Sequence, residues 1–259
     1  RAAHGFFRVD ELVLDDLLTN DTNVIAVTVC GYAVNNFEYP EWESFLCAEF
    51  VSGGECISAT GVHNFEAAEY KEKLKYTQRY SFQRTFAEVY RCDSEYDILK
   101  TDADKKAEDV ELVTVSNVTF LDRNVPYPTF EKAPALGIVS AGDVSVSEKE
   151  HYYNDRSISN ISPIFKGYRT NELEYFSSKE YGKLDLSPSA EGFFRGNCAA
   201  LKKDSFAIFD MGAELTGFIS FRVKCTEKTT VFAAFDEILT DGIVSPFRLT
   251  TCSVCVWEL

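Results

Sequence analysis

Phe218-Ile219-Ser220-Phe221-Arg222-Val223-Lys224-Cys225 has a clear strand pattern. Its apolar and polar side chains alternate with a period of two, which is typical of a strand with one buried face and one wet face. The apolar set is Ile219, Phe221, Val223 and Cys225. A polar turn at residues 226–228 leads into residues 229–235, so we predict an antiparallel hairpin.

Strand-like runs flank this hairpin on both sides. Residues 206–210 enter a turn at Gly212, and residues 249–259 supply a final strand. Nearer the N-terminus, similar runs bounded by turn residues are 23–31, 42–51 and 56–60. Because parallel strands and helices do not alternate, we predict an all-β fold of two antiparallel, jelly-roll-like β-sandwich domains with minor helix.

Two prolines mark the predicted domain boundary. Residues 125–128 read Val-Pro-Tyr-Pro, and each proline fixes φ and removes a backbone donor. Before them, residues 65–74 allow a turn or two of helix, whereas residues 80–86 alternate like a strand. We therefore predict two domains, residues 1–125 and 126–259.

Charge and composition exclude several classes of function. Asp and Glu number 41 against 26 Lys and Arg, giving a net charge of −15 that disfavours nucleic acid and anionic membranes as partners. No apolar run approaches the roughly 20 residues of a membrane helix. The three His residues are scattered, and neither a phosphate-binding loop nor a nucleophile elbow is present, so we expect no cofactor and no catalytic metal.

Eight cysteines are too few for a disulfide-built scaffold. Cys30, Cys225 and Cys252 lie in strand-like runs, where a buried thiol is expected. Cys252 and Cys255 have the spacing of half a zinc site without a second pair, and Cys47 with Cys56 is the alternative of a bridged hairpin. Thiols are favoured, which favours a cytoplasmic over a secreted location.

Several segments together carry a resemblance to a known family. Residues 210–218 read DMGAELTGF, residues 235–242 read FDEILTDG, and residues 80–88 read YSFQRTFAE. With the strand at 23–31 and the Val-Pro-Tyr-Pro link, this order resembles the β-sandwiches that precede the catalytic barrel in bacterial α-L-rhamnosidases, glycoside hydrolase family 78. The motif residues are Asp210, Gly212, Gly217, Glu237 and Gly242. From the residues alone, a structural role in turns is favoured for Asp210, Gly212 and Gly217.

The resemblance implies a rhamnosidase N-terminal-type β-sandwich over 1–125, truncated at its start, and a concanavalin-like pre-barrel β-sandwich over 126–259. It also implies an inverting glycosidase whose acid and base lie in a following (α/α) barrel, which is the expected partner. We expect this chain to brace that barrel and to be inactive alone, with no catalytic residue of its own. Adjacent carboxylates such as Asp236 and Glu237 point to opposite faces of a strand and cannot flank one glycosidic bond.

Sugar binding is the open alternative. Trp42 and Tyr39, in a proline-containing loop, are the predicted aromatic platform for rhamnose-containing glycans, and a stand-alone carbohydrate-binding module fits them. No run of Asp and Asn indicates a calcium site. A surface-adhesion domain is a third interpretation, and it predicts a secretion signal and bridged cysteines.

Overall fold

The computed structural model describes residues 5–32, 34, 43–62, 65–81, 84–92, 98–102, 111, 113–115, 118–147, 167–247 and 253–259. Across these residues the helices are two short ones, α1 (Ile98–Thr101) and α2 (Ser177–Tyr181). The strands there are β1 (Phe6–Val9), β2 (Glu49–Ser52), β3 (Glu55–Ala59), β4 (Thr119–Asp122), β5 (Gly137–Val146), β6 (Leu184–Arg195), β7 (Ser205–Asp210), β8 (Thr230–Ala234), β9 (Leu239–Thr240), β10 (Ile243–Val244) and β11 (Val254–Glu258). The all-β prediction is confirmed, whereas the sandwich arrangement stays a prediction because these sheets are small and separate.

The chain divides into two compact units. With the gaps given above, unit 1 holds residues 5–77 and 84–126, and unit 2 holds residues 78–81, 127–147 and 167–259. The main division falls between Pro126 and Tyr127. As rhamnosidase-type β-sandwiches, domains 1–125 and 126–259 remain predictions.

A three-stranded antiparallel sheet forms the largest element of unit 2, with β5 between β6 and β7. Ser140 and Ile208 are buried in it. Gly142 lies where the register of β5 against β6 shifts, and a Cβ there would approach the Ser187 carbonyl oxygen to 2.1 Å. Only glycine therefore allows this close approach between strands.

The predicted hairpin is wrong. Residues 218–225 form no strand and are exposed, while β8, its predicted return arm, pairs in antiparallel fashion with β11. The physical reason is packing: β11 brings the buried Val254 and a run of β-branched and aromatic residues to β8. Tyr181 of α2 adds ring contacts to Phe232 of β8 at 6.2 Å and to Phe247 at 6.1 Å.

Unit 1 contains one antiparallel hairpin and one parallel strand pair. Strands β2 and β3 pair through the turn at Gly53 and Gly54, both at positive φ. They overlap the predicted strand regions 42–51 and 56–60, although residues 43–48 form no strand. Strands β1 and β4 pair in parallel, so the expectation of antiparallel pairing is wrong for them. Phe7 of β1 is buried and meets the Phe45 ring at 4.6 Å.

Three other local predictions are wrong. Residues 23–31 form no strand, and Val24, Ile25, Val27 and Val29 are exposed because the segment finds no sheet partner among the described residues. Residues 65–74 form no helix, since residues 71–72 make a turn and Lys73 makes a bridge to Tyr90. Of residues 80–86, which alternate like a strand, the described ones belong to no strand, and Phe86 makes only an isolated bridge.

No described helix has the length and apolar character needed to cross a bilayer.

Candidate functional site

The predicted sugar platform lies outside the described residues. Both Trp42 and Tyr39 belong to the segment 35–42, which the structure does not describe. Their role stays a prediction.

The first motif turn has a structural explanation. The Asp210 Oδ1 atom accepts a hydrogen bond from the Gly212 backbone N–H at 2.7 Å. Gly212 has φ of 76°, and a Cβ there would lie 2.3 Å from Leu136 Cδ1. The aspartate and the glycine therefore form one tight turn after β7.

The remaining motif residues are Gly242, Glu237 and Gly217. Gly242 follows Asp241 at the β9–β10 turn with both residues at positive φ, as a two-residue hairpin turn requires. The Glu237 backbone N–H donates to Asp236 Oδ1 at 2.7 Å. Gly217 has no positive φ, and a Cβ there would meet nothing within 4 Å. The structure gives Gly217 no conformational reason to be glycine.

The described cysteines carry thiols rather than a bridge. Cys47 and Cys56 are exposed thiols, so a disulfide between them is wrong. Cys30 and Cys225 are exposed instead of buried, because the segments that hold them form no sheet. Cys252 lies outside the described residues. Within the described part of the chain no group of three or more His, Cys, Asp or Glu is placed to hold a metal.

A polar cluster in unit 1 is the most developed site. Residues 72–77 run antiparallel beside residues 87–91: the Leu74 N–H donates to the Val89 carbonyl at 2.9 Å, and the Arg91 N–H donates to the Glu72 carbonyl at 2.8 Å. The bridge between Lys73 and Tyr90 follows from this pairing. Facing residues of an antiparallel pair project to the same side, which brings these two side chains together.

Glu88 is the centre of the cluster. Its Oε1 accepts from the Tyr32 hydroxyl at 2.6 Å and lies 3.3 Å from Lys73 Nζ, while its Oε2 accepts from the Tyr90 hydroxyl at 2.8 Å. Cys30 completes the group, with its Sγ 3.3 Å from Lys73 Nζ and 3.6 Å from Glu88 Oε1. We call Cys30, Tyr32, Lys73, Glu88 and Tyr90 the tyrosine–glutamate cluster.

Charge and burial oppose each other at Glu88. Partial burial by itself raises the pKa of this carboxyl, but hydrogen bonds from Tyr32 and Tyr90 and the charge of Lys73 outweigh it, and the pKa is lowered. Burial first, and then the hydrogen bond to Glu88 and its charge, raise the pKa of Tyr32 well above its usual range. The glutamate is therefore a carboxylate and the tyrosine a neutral donor at neutral pH.

Aromatic rings surround these charges. Lys73 Nζ lies 4.8 Å from the Tyr32 ring centroid and 5.9 Å from that of Tyr90, within cation–π range. Beyond them the Tyr70 and Tyr90 rings are 5.7 Å apart, and Lys100 Nζ lies 4.6 Å from the Tyr70 ring. Glu88 keeps 47% of its side chain exposed and Lys73 keeps 21%, so the charged groups are accessible from solvent.

This arrangement offers groups that can bind a polar ligand. Most glycosidases use two carboxylates on either side of the scissile bond. The cluster holds one carboxylate, together with an ammonium group and tyrosine hydroxyls and rings. Such a set can accept and donate hydrogen bonds to sugar hydroxyls while a ring covers the apolar face of the sugar.

The cluster was not predictable from local sequence patterns. Lys73 and Glu88 are separated by 15 residues, and Cys30 is 58 residues from Glu88. The available signal was the density of tyrosines at positions 70, 76, 80 and 90.

A second feature lies in unit 2, and we call residues 215–223 the apolar segment. Phe218 is 87% exposed and its ring lies 6.0 Å from that of Phe130, which is also exposed. Phe221 meets the Trp257 ring edge-on at 4.7 Å. The exposed apolar residues of the segment are Leu215, Phe218, Ile219, Phe221 and Val223.

Comparisons with protein-family models, curated proteins and solved structures found no match to this chain.

Proposed function

We propose that this chain is a non-catalytic accessory region, built of two β-sandwich domains, of an α-L-rhamnosidase-type glycoside hydrolase. In this proposal it braces the catalytic (α/α) barrel of the same polypeptide and has no hydrolytic activity alone. The observation that carries the proposal is the exposed apolar segment. The sequence resemblance to the region before the rhamnosidase barrel supplies the identity of the partner.

Exposure of the apolar segment is costly for a surface that stays in water. Burying one phenylalanine or leucine side chain contributes about 1.5–3 kcal/mol. Contiguous exposed apolar residues mark interaction surfaces in soluble proteins. The segment adjoins the Trp257 ring of β11, so an aromatic contact extends the surface beyond the segment itself.

The proposal is tested by one substitution in two contexts. Phe218→Ser in residues 1–259 alone should change the free energy of unfolding by no more than about 0.5 kcal/mol, because the ring is already exposed. The same substitution in the polypeptide encoded by the native gene should destabilise it by about 1.5–3 kcal/mol, because the ring is then covered. Chemical denaturation of both forms gives the two values.

Val146→Ser is the matched control, since Val146 is 79% exposed and lies at the end of β5, outside the apolar segment. It should have a small effect in both contexts. Equal, small effects of Phe218→Ser in both contexts would contradict the bracing role.

The second candidate function is a stand-alone carbohydrate-binding module. The tyrosine–glutamate cluster favours it, because it combines a carboxylate, an ammonium group and tyrosine rings that are all partly accessible. Rhamnose-containing glycans are the proposed ligands.

Titration calorimetry of residues 1–259 with L-rhamnose and with rhamnosylated glycans tests this candidate. Binding heat is expected at millimolar ligand and should be lost in Tyr90→Ala, which removes a ring and a hydroxyl from the cluster. Tyr76→Ala, which removes an exposed tyrosine outside the cluster, is the control and should bind normally. Absence of heat with every glycan would reject the module.

A further inference from the structure

We propose that Cys30 and Lys73 form an oxidation site at which a hydroperoxide produces a covalent sulfur–nitrogen bridge. The proposal is based on the distance of 3.3 Å between Lys73 Nζ and Cys30 Sγ and on the exposure of the Cys30 thiol. This proposal concerns modification of the chain and does not depend on the proposed function.

The groups around Cys30 and Lys73 favour the formation of this bridge. Cys30 is exposed, so a small peroxide reaches the sulfur from solvent. Glu88 Oε1 lies 3.6 Å from the sulfur and 3.3 Å from Lys73 Nζ, which places one carboxylate beside both reacting atoms. Lys73 Nζ lies over the rings of Tyr32 and Tyr90, 4.8 and 5.9 Å from their centroids. These cation–π contacts favour the position of the nitrogen beside the sulfur.

The reaction has two balanced steps. Hydrogen peroxide transfers one oxygen to the Cys30 sulfur, which is oxidised to a sulfenic acid, and the peroxide is reduced to water. The Lys73 nitrogen, after giving a proton through Glu88 to solvent, attacks that sulfur with its lone pair, and the S–O bond breaks. The oxygen leaves as a second water, an S–N bond remains, and the bridged chain has two hydrogens fewer than the reduced one.

A comparison with Cys56 explains why we propose Cys30 as the reacting thiol. Cys56 is also an exposed thiol, but its Sγ donates to the Ser58 backbone carbonyl at 3.5 Å. A carbonyl oxygen cannot displace water from a sulfenic acid. The contact between Cys56 and Ser58 therefore supplies no lysine nitrogen for a sulfur–nitrogen bridge.

The test treats residues 1–259 with a small excess of hydrogen peroxide, digests the chain and analyses the peptides by mass spectrometry. A peptide pair joined through Cys30 and Lys73, lighter by two hydrogens and separated again by dithiothreitol, is the expected result. Cys56→Ser should give the same bridged pair. Lys73→Arg keeps the positive charge but should lose the bridge, and Cys30 should then be trapped by dimedone as a sulfenic acid.

The wild-type chain alone can overturn the proposal, so the test does not depend on variants that fold. Recovery of Cys30 only as a thiol, a disulfide or a sulfonic acid would do so. A bridge to Cys30 that persists in Lys73→Arg would also overturn it.

Discussion

Gly212 and Gly217 occupy equivalent places in a sequence motif but meet different physical demands. Gly212 has φ of 76° and packs against Leu136, whereas Gly217 has neither a positive φ nor a neighbour within 4 Å of an added Cβ. A residue other than glycine in the left-handed region costs of the order of 1–2 kcal/mol. The backbone at Gly212 therefore requires glycine, and the backbone at Gly217 does not.

Gly212→Ala should lower the free energy of unfolding by about 1–2 kcal/mol, because alanine at positive φ is strained and its Cβ displaces the Leu136 side chain. Gly217→Ala is the matched control and should stay within about 0.5 kcal/mol of wild type. Urea denaturation measures both. Equal destabilisation by the two variants would contradict the turn geometry.

Glu88 makes the stability of unit 1 depend on pH in the acidic range. Its pKa is lowered in the folded chain, so its stabilising contribution is present above the pKa of unfolded glutamate and is lost as pH falls through the folded value. The free energy of unfolding, measured by chemical denaturation, should fall on acidification. The fall should be smaller in Glu88→Gln, because glutamine cannot ionise. Identical acid profiles for the two proteins would show that the cluster does not lower this pKa.

Residue types alone predicted the turn at Asp210 and Gly212 but not the tyrosine–glutamate cluster. An aspartate two residues before a glycine is a local signal, and the structure realises it within one turn. The cluster depends on long-range pairing of residues 72–77 with residues 87–91 and on the approach of Cys30 and Tyr32. The buried polar residues Thr77, Gln78, Arg79 and Ser81 were not predicted either, because polar residues are normally expected at the surface.

At the level of secondary-structure elements, a local pattern indicates a strand more directly than it indicates the partner of that strand. Strand β8 lies within the predicted segment 229–235, yet its partner is β11 and not the neighbouring residues 218–225. Local alternation shows that a segment suits a sheet, while tertiary packing decides which segment pairs with it. Strand propensity alone does not produce a strand, because residues 23–31 are rich in valine and isoleucine and yet form none.

Gly142 is the element-scale test of the β6–β5–β7 sheet. Gly142→Ala should destabilise the chain by about 1–3 kcal/mol or more, because the added Cβ meets the Ser187 carbonyl oxygen and Pro188 Cα, which are backbone atoms. Asp143→Ala, at the next and exposed position of β5, should have little effect. Thermal denaturation compares the two, and wild-type stability of Gly142→Ala would contradict the close strand approach.

Tyr181 predicts an alkaline loss of stability in unit 2. Burial raises the pKa of its hydroxyl from 10.0 to about 12, so its contribution is complete below pH 10 and is lost as pH rises toward about 12. The fall in unfolding free energy across this range should be shallower in Tyr181→Phe, which keeps the ring contacts to Phe232 and Phe247. An unchanged slope in Tyr181→Phe would show that this hydroxyl ionises as readily as in the unfolded chain.

At the scale of the whole molecule, the structure supports an all-β chain in two units and leaves large apolar side chains in water. Strand-like runs without alternating helices were sufficient to predict the strand-rich class. The parallel pairing of β1 with β4 was not predictable, since it joins segments more than 100 residues apart. Exposed residues such as Phe218 and Phe130 are the observation that the proposed accessory role explains.

Hydrolysis of an aryl α-L-rhamnoside tests that role most directly. It should be measured in parallel for residues 1–259 and for the polypeptide encoded by the native gene. We predict release of the aryl group by the native polypeptide and none by residues 1–259 alone. Hydrolysis by residues 1–259, or a native polypeptide with no activity on α-L-rhamnosides, would contradict the proposal.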